Sequence, residues 1–314
     1  MGSWQANAGP SNVNRSLVDN NDGSMAYIHS HNRIIARIQR CGFLLYPVIL
    51  VSGQLTRWEL NACRLLRKKI IYLMHGNKRY EAKLNKLPVN KIDLESEEKL
   101  LEFSNKIVCV SERYSRWVKS QYPKYCDKIT FVNNGLDIDV REKVEKKPYT
   151  IAVSGGNRIQ KNNHIVCDAV NLLNSKGYNI KVHVFGRYYE GNANLDKYPF
   201  VIRMGHLEKE DYYKELDYIS LYVIDSELES FGLVVGDAIN CNCSLLMSET
   251  VGATSIMKVE DTDVVYDCHN IEELSSKILN ILENANFDRL YRTIEIEKCS
   301  SKVAFSNIKE KCLN

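Results

Sequence analysis

The chain has 314 residues, 44% apolar and 26% charged, an ordinary globular composition that excludes a disordered, collagen-like or coiled-coil protein. At roughly 150 residues per domain, this length predicts two domains, each burying its own core. Net charge is only +3, yet residues 1–91 carry 14 Lys/Arg against 4 Asp/Glu. The first third is therefore either a solvated basic face or a surface that meets lipid headgroups, a phosphorylated substrate or nucleic acid.

The chain opens on GSWQANAGPSNVNRSLV, which reads as a phosphate loop entering a helix with no strand before it. Either the first domain is trimmed or residues upstream are absent. The longest apolar run, Phe43–Val51, is nine residues long and contains Pro47. A bilayer needs about 20, so no membrane span is predicted. The absence of an apolar signal core places the protein in the cytoplasm. Strands are predicted over Gly42–Val51, Lys69–Met74, Lys106–Val110 and Lys128–Val132. A second set covers Tyr149–Ser154, Ile180–Phe185, Phe200–Met204, Ile219–Ile224, Ser244–Met247 and Val264–Tyr266. Many are near-continuous apolar runs, as strands covered on both faces require.

Helices are predicted between them, over Thr56–Arg67, Glu95–Ser104, Glu112–Gln121, Asn162–Ser175, Lys209–Glu215 and Ile271–Asn284. Alternation of this kind means βαβ units and an α/β fold with parallel sheets. The charged stretch Asp139–Pro148 reads as a linker between two doubly wound domains. The domains are set at 1–140, with its first strand missing, and 149–285. A C-terminal helix over 286–314 returns towards the first.

Several residues suit chemistry. Glu229 to Ala238 (ESFGLVVGDA) follows a strand and turns helical. Ser230 is a candidate N-cap, and Gly232 allows a ligand to approach backbone N–H groups. Glu229 in the loop can accept hydrogen bonds from sugar hydroxyls. Arg158 and Lys161 stand after the first strand of the second half, where cations can meet a diphosphate; the alternative is a solvated loop face. His75, after the strand Lys69–Met74, is either a structural residue or a site residue. The triplets Asp137-Ile138-Asp139 and Asp261-Thr262-Asp263 fall in turns and are not assigned a metal. Ten cysteines with no C-x-x-C spacing read as reduced, mostly buried thiols.

The segment Arg57–Lys69 (RWELNACRLLRKK) places Trp58, Ala62, Leu65 and Leu66 on one side of a helix and basic residues around the other. Such a helix either packs on its own sheet or rests on an anionic membrane surface. No aromatic-interleaved basic motif points to nucleic acid.

The run Glu229–Asp237 resembles the acid–x7–acid signature of the retaining GT-B-fold glycosyltransferases of family four, glycosyl transferases group 1. Other pieces follow in the family's order. Ile129–Asp137 (ITFVNNGLD) is similar to its strand and Asn-Gly-x-Asp turn, and Lys106–Ser120 to its strand-Ser-Glu-helix element. His75-Gly76 stands where the family has a histidine. Val184-Phe185-Gly186 and Met204-Gly205-His206 resemble its paired strand-glycine elements around the base.

The resemblance implies a GT-B fold: two Rossmann-like doubly wound parallel-sheet domains facing a central cleft. It implies a retaining, metal-independent transfer of a hexose or N-acetylhexosamine from a nucleotide-diphosphate sugar, UDP-linked. The acceptor is a hydroxyl of a glycan, lipid-linked or protein molecule, in surface polysaccharide or glycoconjugate synthesis. The implied catalytic residues are Glu229, His75, Lys161 and Arg158. The implied donor-binding residues are Gly9, Gly156, Asn157, Gly186, His206, Leu207, Ser230, Phe231, Gly232, Leu233 and Asp237.

No metal and no cofactor beyond the sugar-nucleotide co-substrate are implied. The expected partners are that nucleotide sugar, the acceptor and an anionic membrane at its inner face, with oligomeric state left open. Two departures stand out. The second acid is Asp237 where the family has Glu, and Gly156 occupies the family's arginine position. Either Arg158 swings into that role, the reading favoured here, or Lys161 and backbone amides hold the diphosphate alone. A GT-B nucleotide-sugar epimerase and a non-catalytic glycosyltransferase-like partner subunit are the alternatives.

Overall fold

A computed structural model describes residues 9–26, 41–88 and 90–313. The chain divides into two compact units. One comprises Met1–Ala82, Leu87–Leu136 and Glu297–Asn314; the other comprises Lys83–Lys86 and Asp137–Ile296.

The first unit begins with helix α1 (Gly9–Asp19) and a 3-10 turn over Gly42–Leu45, followed by β1 (Val48–Val51), α2 (Arg57–Leu65) and β2 (Lys69–Met74). Helices α3 (Lys78–Leu84) and α4 (Lys91–Phe103) precede β3 (Lys106–Cys109), α5 (Glu112–Gln121) and β4 (Ile129–Phe131). The four strands are parallel in the order β1-β2-β3-β4. Local sequence sets the helix starts. Thr56 and Glu59 form a reciprocal capping box on α2, and Ser111 caps α5 by accepting from Tyr114 N–H at 3.1 Å. The strand predicted over Gly42–Val51 is extended only from Val48, its first half being the 3-10 turn.

The second unit contains β5 (Lys147–Ser154), α6 (Asn163–Ser175), β6 (Lys181–Phe185), β7 (Val201–Gly205), α7 (Lys209–Leu216) and β8 (Ile219–Ile224). It continues through α8 (Val234–Asn240), β9 (Ser244–Ser248), β10 (Val264–Val265), α9 (Ile271–Glu283) and α10 (Phe287–Tyr291). The short α11 (Ile296–Cys299) leads into α12 (Ser301–Leu313), which belongs to the first unit and packs there on α1. Six parallel strands run β10-β9-β8-β5-β6-β7. One core face gathers Val153, Val166, Val170, Val184, Val223 and Ile278, each fully buried or nearly so.

The strand order reverses between β5 and β8, β6 and β7 being added on one side and β8 to β10 on the other. Ligands of open α/β sheets bind outside the carboxyl ends of strands at such a switch point. The loops after β5 and β8 are therefore the first place to look for a site.

Pro148 lies inside β5, not ahead of it as the linker reading had it. It is tolerated because the β5–β8 register shifts between Lys147 and Ile151, so the missing N–H falls at an irregular step of the ladder. Helix α2 also differs from expectation. Its buried residues are Glu59, Leu60 and Cys63, whereas Trp58, Leu65 and Leu66 are exposed, Leu65 at 84%. The apolar side identified in the sequence thus faces outward. Among the described residues no helix is long and apolar enough to cross a membrane, and all ten cysteines are free thiols.

Candidate functional site

After β5, Gly155 and Gly156 turn the chain, and Arg158 and Lys161 follow. The Arg158 Nε donates to Gly155 O at 3.3 Å. A Cβ on Gly155 would lie 2.7 Å from Lys161 Cγ and 3.0 Å from an Arg158 guanidinium nitrogen. Both cations are therefore folded over the same bare backbone. Gly156 has φ +62°, and a Cβ there would lie 1.9 Å from Arg187 O. Its N–H donates to Phe185 O at 2.8 Å, and Gly186 N–H donates to Gly205 O at 2.6 Å. The glycine at the family's arginine position thus lets the ends of β5 and β6 touch backbone to backbone, a contact no side chain would permit.

After β8, Glu229 forms an ion pair with Lys161, both side chains largely buried. Gln160 holds the two loops together. Its side-chain amide donates to Leu228 O at 2.9 Å, and its backbone carbonyl accepts Glu227 N–H at 2.9 Å. Glu229 O and Phe231 O accept Gly252 N–H and Ala253 N–H at 3.1 and 2.7 Å, so this loop is braced from both sides. Phe231 is buried and anchors it. Gly232 sits at φ +94°, a left-handed turn that glycine makes without strain. The N–H groups of Gly232 and Leu233 meet no acceptor among the described residues. The N-cap is Leu233 rather than Ser230, and α8 starts at Val234, because the chain needs this turn before it can coil.

Asp237 lies in the first turn of α8, where Tyr213 O–H donates to its Oδ1 at 2.7 Å. Burial pushes the Asp237 carboxyl above its ordinary range, and the tyrosine hydrogen bond opposes the shift. Tyr213, on α7, was not singled out from sequence; nothing local links it to an acid 24 residues on. Asn157 is committed to structure. Its amide donates to Tyr189 O at 2.9 Å and Ala193 O at 3.1 Å, while accepting Tyr189 N–H at 2.7 Å. His206 is exposed and Leu207 half-buried after β7, beside Gly205. The Asp261-Thr262-Asp263 triplet is no free carboxylate pair. Asp263 is fully buried and takes Arg289 at 2.6 and 2.8 Å and Asn286 at 2.8 Å.

On the first unit, His75 follows β2. Ser52, at the end of β1, donates its hydroxyl to Asn14 Oδ1 and lies 2.6 Å from His75 Nε2. With that hydrogen spent on Asn14, Nε2–H must be the donor to Ser52. The His75 Nδ1 is thereby left as a buried lone pair without a hydrogen-bond partner. Burial of the ring lowers its pKa to about 4, so it is neutral at physiological pH. Asn14 and Ser52 were not read as site residues, since only the fold brings α1 and the end of β1 to this ring. Gly9 is the first residue of α1; residues 1–8, the remainder of the predicted loop, lie outside the described residues.

Two all-parallel α/β units, the second with ligand-type loops at its switch point, define the GT-B class of glycosyltransferases. The chain belongs to the family described as Glycosyl transferases group 1, which matches residues 137–296, the main segment of the second unit. Solved structures share the fold at low identity. HepE from Anabaena, crystallised with UDP and glucose, has a TM-score of 0.63 at 14% identity, over 88% of this chain and 81% of that one. Sucrose-phosphate synthase from Thermosynechococcus elongatus has a TM-score of 0.64 at 13% identity, over 92% and 81%. The pneumococcal O-GlcNAc transferase GtfA, with UDP and GlcNAc, has 0.62 at 13%, over 89% and 59%. No curated protein sequence matched.

Proposed function

We propose that the chain is a retaining glycosyltransferase that moves a hexose or N-acetylhexosamine from a UDP-linked sugar to a hydroxyl of a glycan, lipid-linked or protein acceptor. The observation that carries this reading is the Lys161–Glu229 pair, joined across the switch point by Gln160 and flanked by Arg158 and the Gly232 and Leu233 N–H groups. Cleaving a sugar–phosphate bond builds negative charge on the departing diphosphate. Fixed positive groups that need no reorganisation stabilise that charge where it forms.

In this mechanism Arg158, Lys161 and the two N–H groups hold the diphosphate, and no metal is needed on it. Glu229 accepts hydrogen bonds from the sugar's hydroxyls, and its pairing with Lys161 fixes both groups in advance. Asp237, steadied by Tyr213, takes the ribose. His75 offers its neutral ring to a hydroxyl of the transferred sugar. The acceptor oxygen forms its bond to the anomeric carbon on the face the phosphate leaves. The acceptor's proton passes to the departing phosphate oxygen, so configuration is retained and no side-chain base is required.

The outward Trp58, Leu65 and Leu66, with Arg57, Arg64 and Arg67 also exposed, support docking of the first unit on an anionic membrane. The test of the reaction is a panel of UDP-sugars with simple glycan and lipid-linked acceptors, the product's anomeric configuration read by NMR. Transfer with retention supports the reading. Inversion, or isomerisation of the UDP-sugar with no acceptor, contradicts it.

A further inference from the structure

The loops after β8 and β10 assemble a second group of side chains that the proposed transfer does not use. His269 Nε2 lies 2.8 Å from Glu227 Oε2, and Cys268 Sγ lies 3.3 Å from the same oxygen. One donor atom from each of the three residues lies within 4.8 Å of the others. Next to them is Asp225, 1% exposed, neither of whose carboxylate oxygens has a hydrogen-bond partner. It stands within electrostatic reach of both Glu227 and Cys268. His164, at the start of α6, has a buried Nδ1 without a hydrogen-bond partner and lies within reach of His269.

Mutual hydrogen bonds account for Glu227, Cys268 and His269 as an ordinary solvated cluster. They leave Asp225 unexplained, because native proteins almost always satisfy buried polar atoms. A cation resolves the mismatch. Tetrahedral zinc has bonds of about 2.3 Å to sulfur and about 2.0–2.2 Å to nitrogen and oxygen, which puts its donor atoms roughly 3.3–3.7 Å apart. The two spacings to Glu227 Oε2, 2.8 Å from His269 Nε2 and 3.3 Å from Cys268 Sγ, lie within about 1 Å of that geometry. Magnesium and calcium prefer all-oxygen sites, whereas thiolate with imidazole suits zinc.

We propose that Glu227, Cys268 and His269 bind one zinc-class divalent cation, with Asp225 reaching it through a bound water that completes the four donors. Cys268 binds as the thiolate and releases its proton. The ion fastens the loop after β10 to the loop after β8, two residues ahead of Glu229, and holds the loop rather than the phosphate. The site does not depend on the glycosyltransferase reading, since none of its ligands serves the transfer.

The test uses the full chain, stripped with chelator and titrated with Zn²⁺ and Co²⁺. The expected result is saturable binding of one equivalent, with Co²⁺ giving a tetrahedral d–d spectrum and a thiolate charge-transfer band. Cys268→Ser should abolish that band, and His269→Gln should weaken binding about tenfold or more. The metal-free His269→Gln protein should match metal-free wild type in thermal midpoint, because His269 is exposed, so its result stands even where the cysteine variant folds poorly. Absence of saturable binding, or a cobalt band and affinity unchanged in both variants, would overturn the proposal.

Discussion

At the residue scale, individual side chains and glycines set measurable consequences. The neutral His75 accepts a proton only near pH 4 when folded, against about 6.5 when unfolded. Between those values the unfolded chain binds more protons, so stability falls as pH drops from 6.5 towards 4 and is insensitive to this residue above that window. The full effect is about 3 kcal/mol at most. His75→Gln should flatten that part of a denaturant-midpoint versus pH curve; an unchanged slope would show that the ring is not protected. Gly156→Ala should be among the most damaging single substitutions in the second unit, costing about 2 kcal/mol or more, since its methyl would fall 1.9 Å from Arg187 O at a positive φ. Unfolding in urea measures it.

Glu229→Ala should abolish sugar transfer, and it should also destabilise by about 1–3 kcal/mol, because it strands a largely buried Lys161. The two losses separate in Glu229→Gln, which keeps a hydrogen-bond acceptor beside the lysine and should recover most of the stability without the activity. Wild-type turnover in Glu229→Gln would remove the carboxylate from the mechanism.

At the scale of elements, much was legible and the remainder had a physical cause. Strands Lys69–Met74 and Ile219–Ile224 and helix Glu112–Gln121 occur with the bounds read from sequence, because apolar continuity and a serine cap act locally. The start of α8 was misplaced by three residues: Ser230 has the chemistry of a cap, but Gly232 must turn left-handed first. The orientation of α2 was also missed. Periodicity identifies two faces and cannot say which one packs, and the capping box helps bury Glu59 in the first turn while Trp58 stays exposed.

In the loop after β5 the sequence reading named Arg158 and Lys161, but Gln160 between them passed unnoticed. Its partners Glu227 and Leu228 are more than 60 residues away and meet it only because β5 and β8 are neighbours. Gln160→Ala should therefore raise the KM for the sugar nucleotide several-fold with a smaller change in thermal midpoint, as expected of a residue that positions others. A midpoint collapse with KM unaltered would make it merely structural. For the exposed face of α2, replacing Leu65 and Leu66 with glutamate should reduce co-sedimentation with vesicles rich in anionic lipid. Unaltered co-sedimentation would free that helix from any membrane role.

At the scale of the whole molecule, the family match covers residues 137–296, the main segment of the second unit. The groups that the proposal assigns to the donor lie there: two cations over a bare glycine, an acid paired with one of them, and two N–H groups beyond that meet no acceptor among the described residues. The first unit contributes a basic sequence and a buried neutral histidine held through Ser52 and Asn14. The most direct measurement is calorimetric titration of the full chain with UDP and UDP-sugars, alongside a folded Arg158→Ala/Lys161→Ala double variant. Wild type should give a saturable one-to-one isotherm, with affinity in the double variant lower by at least about a hundredfold, roughly tenfold for each charge-assisted contact removed. Equal affinity in the two proteins, or no binding of any uridine diphosphate by wild type, would contradict the account.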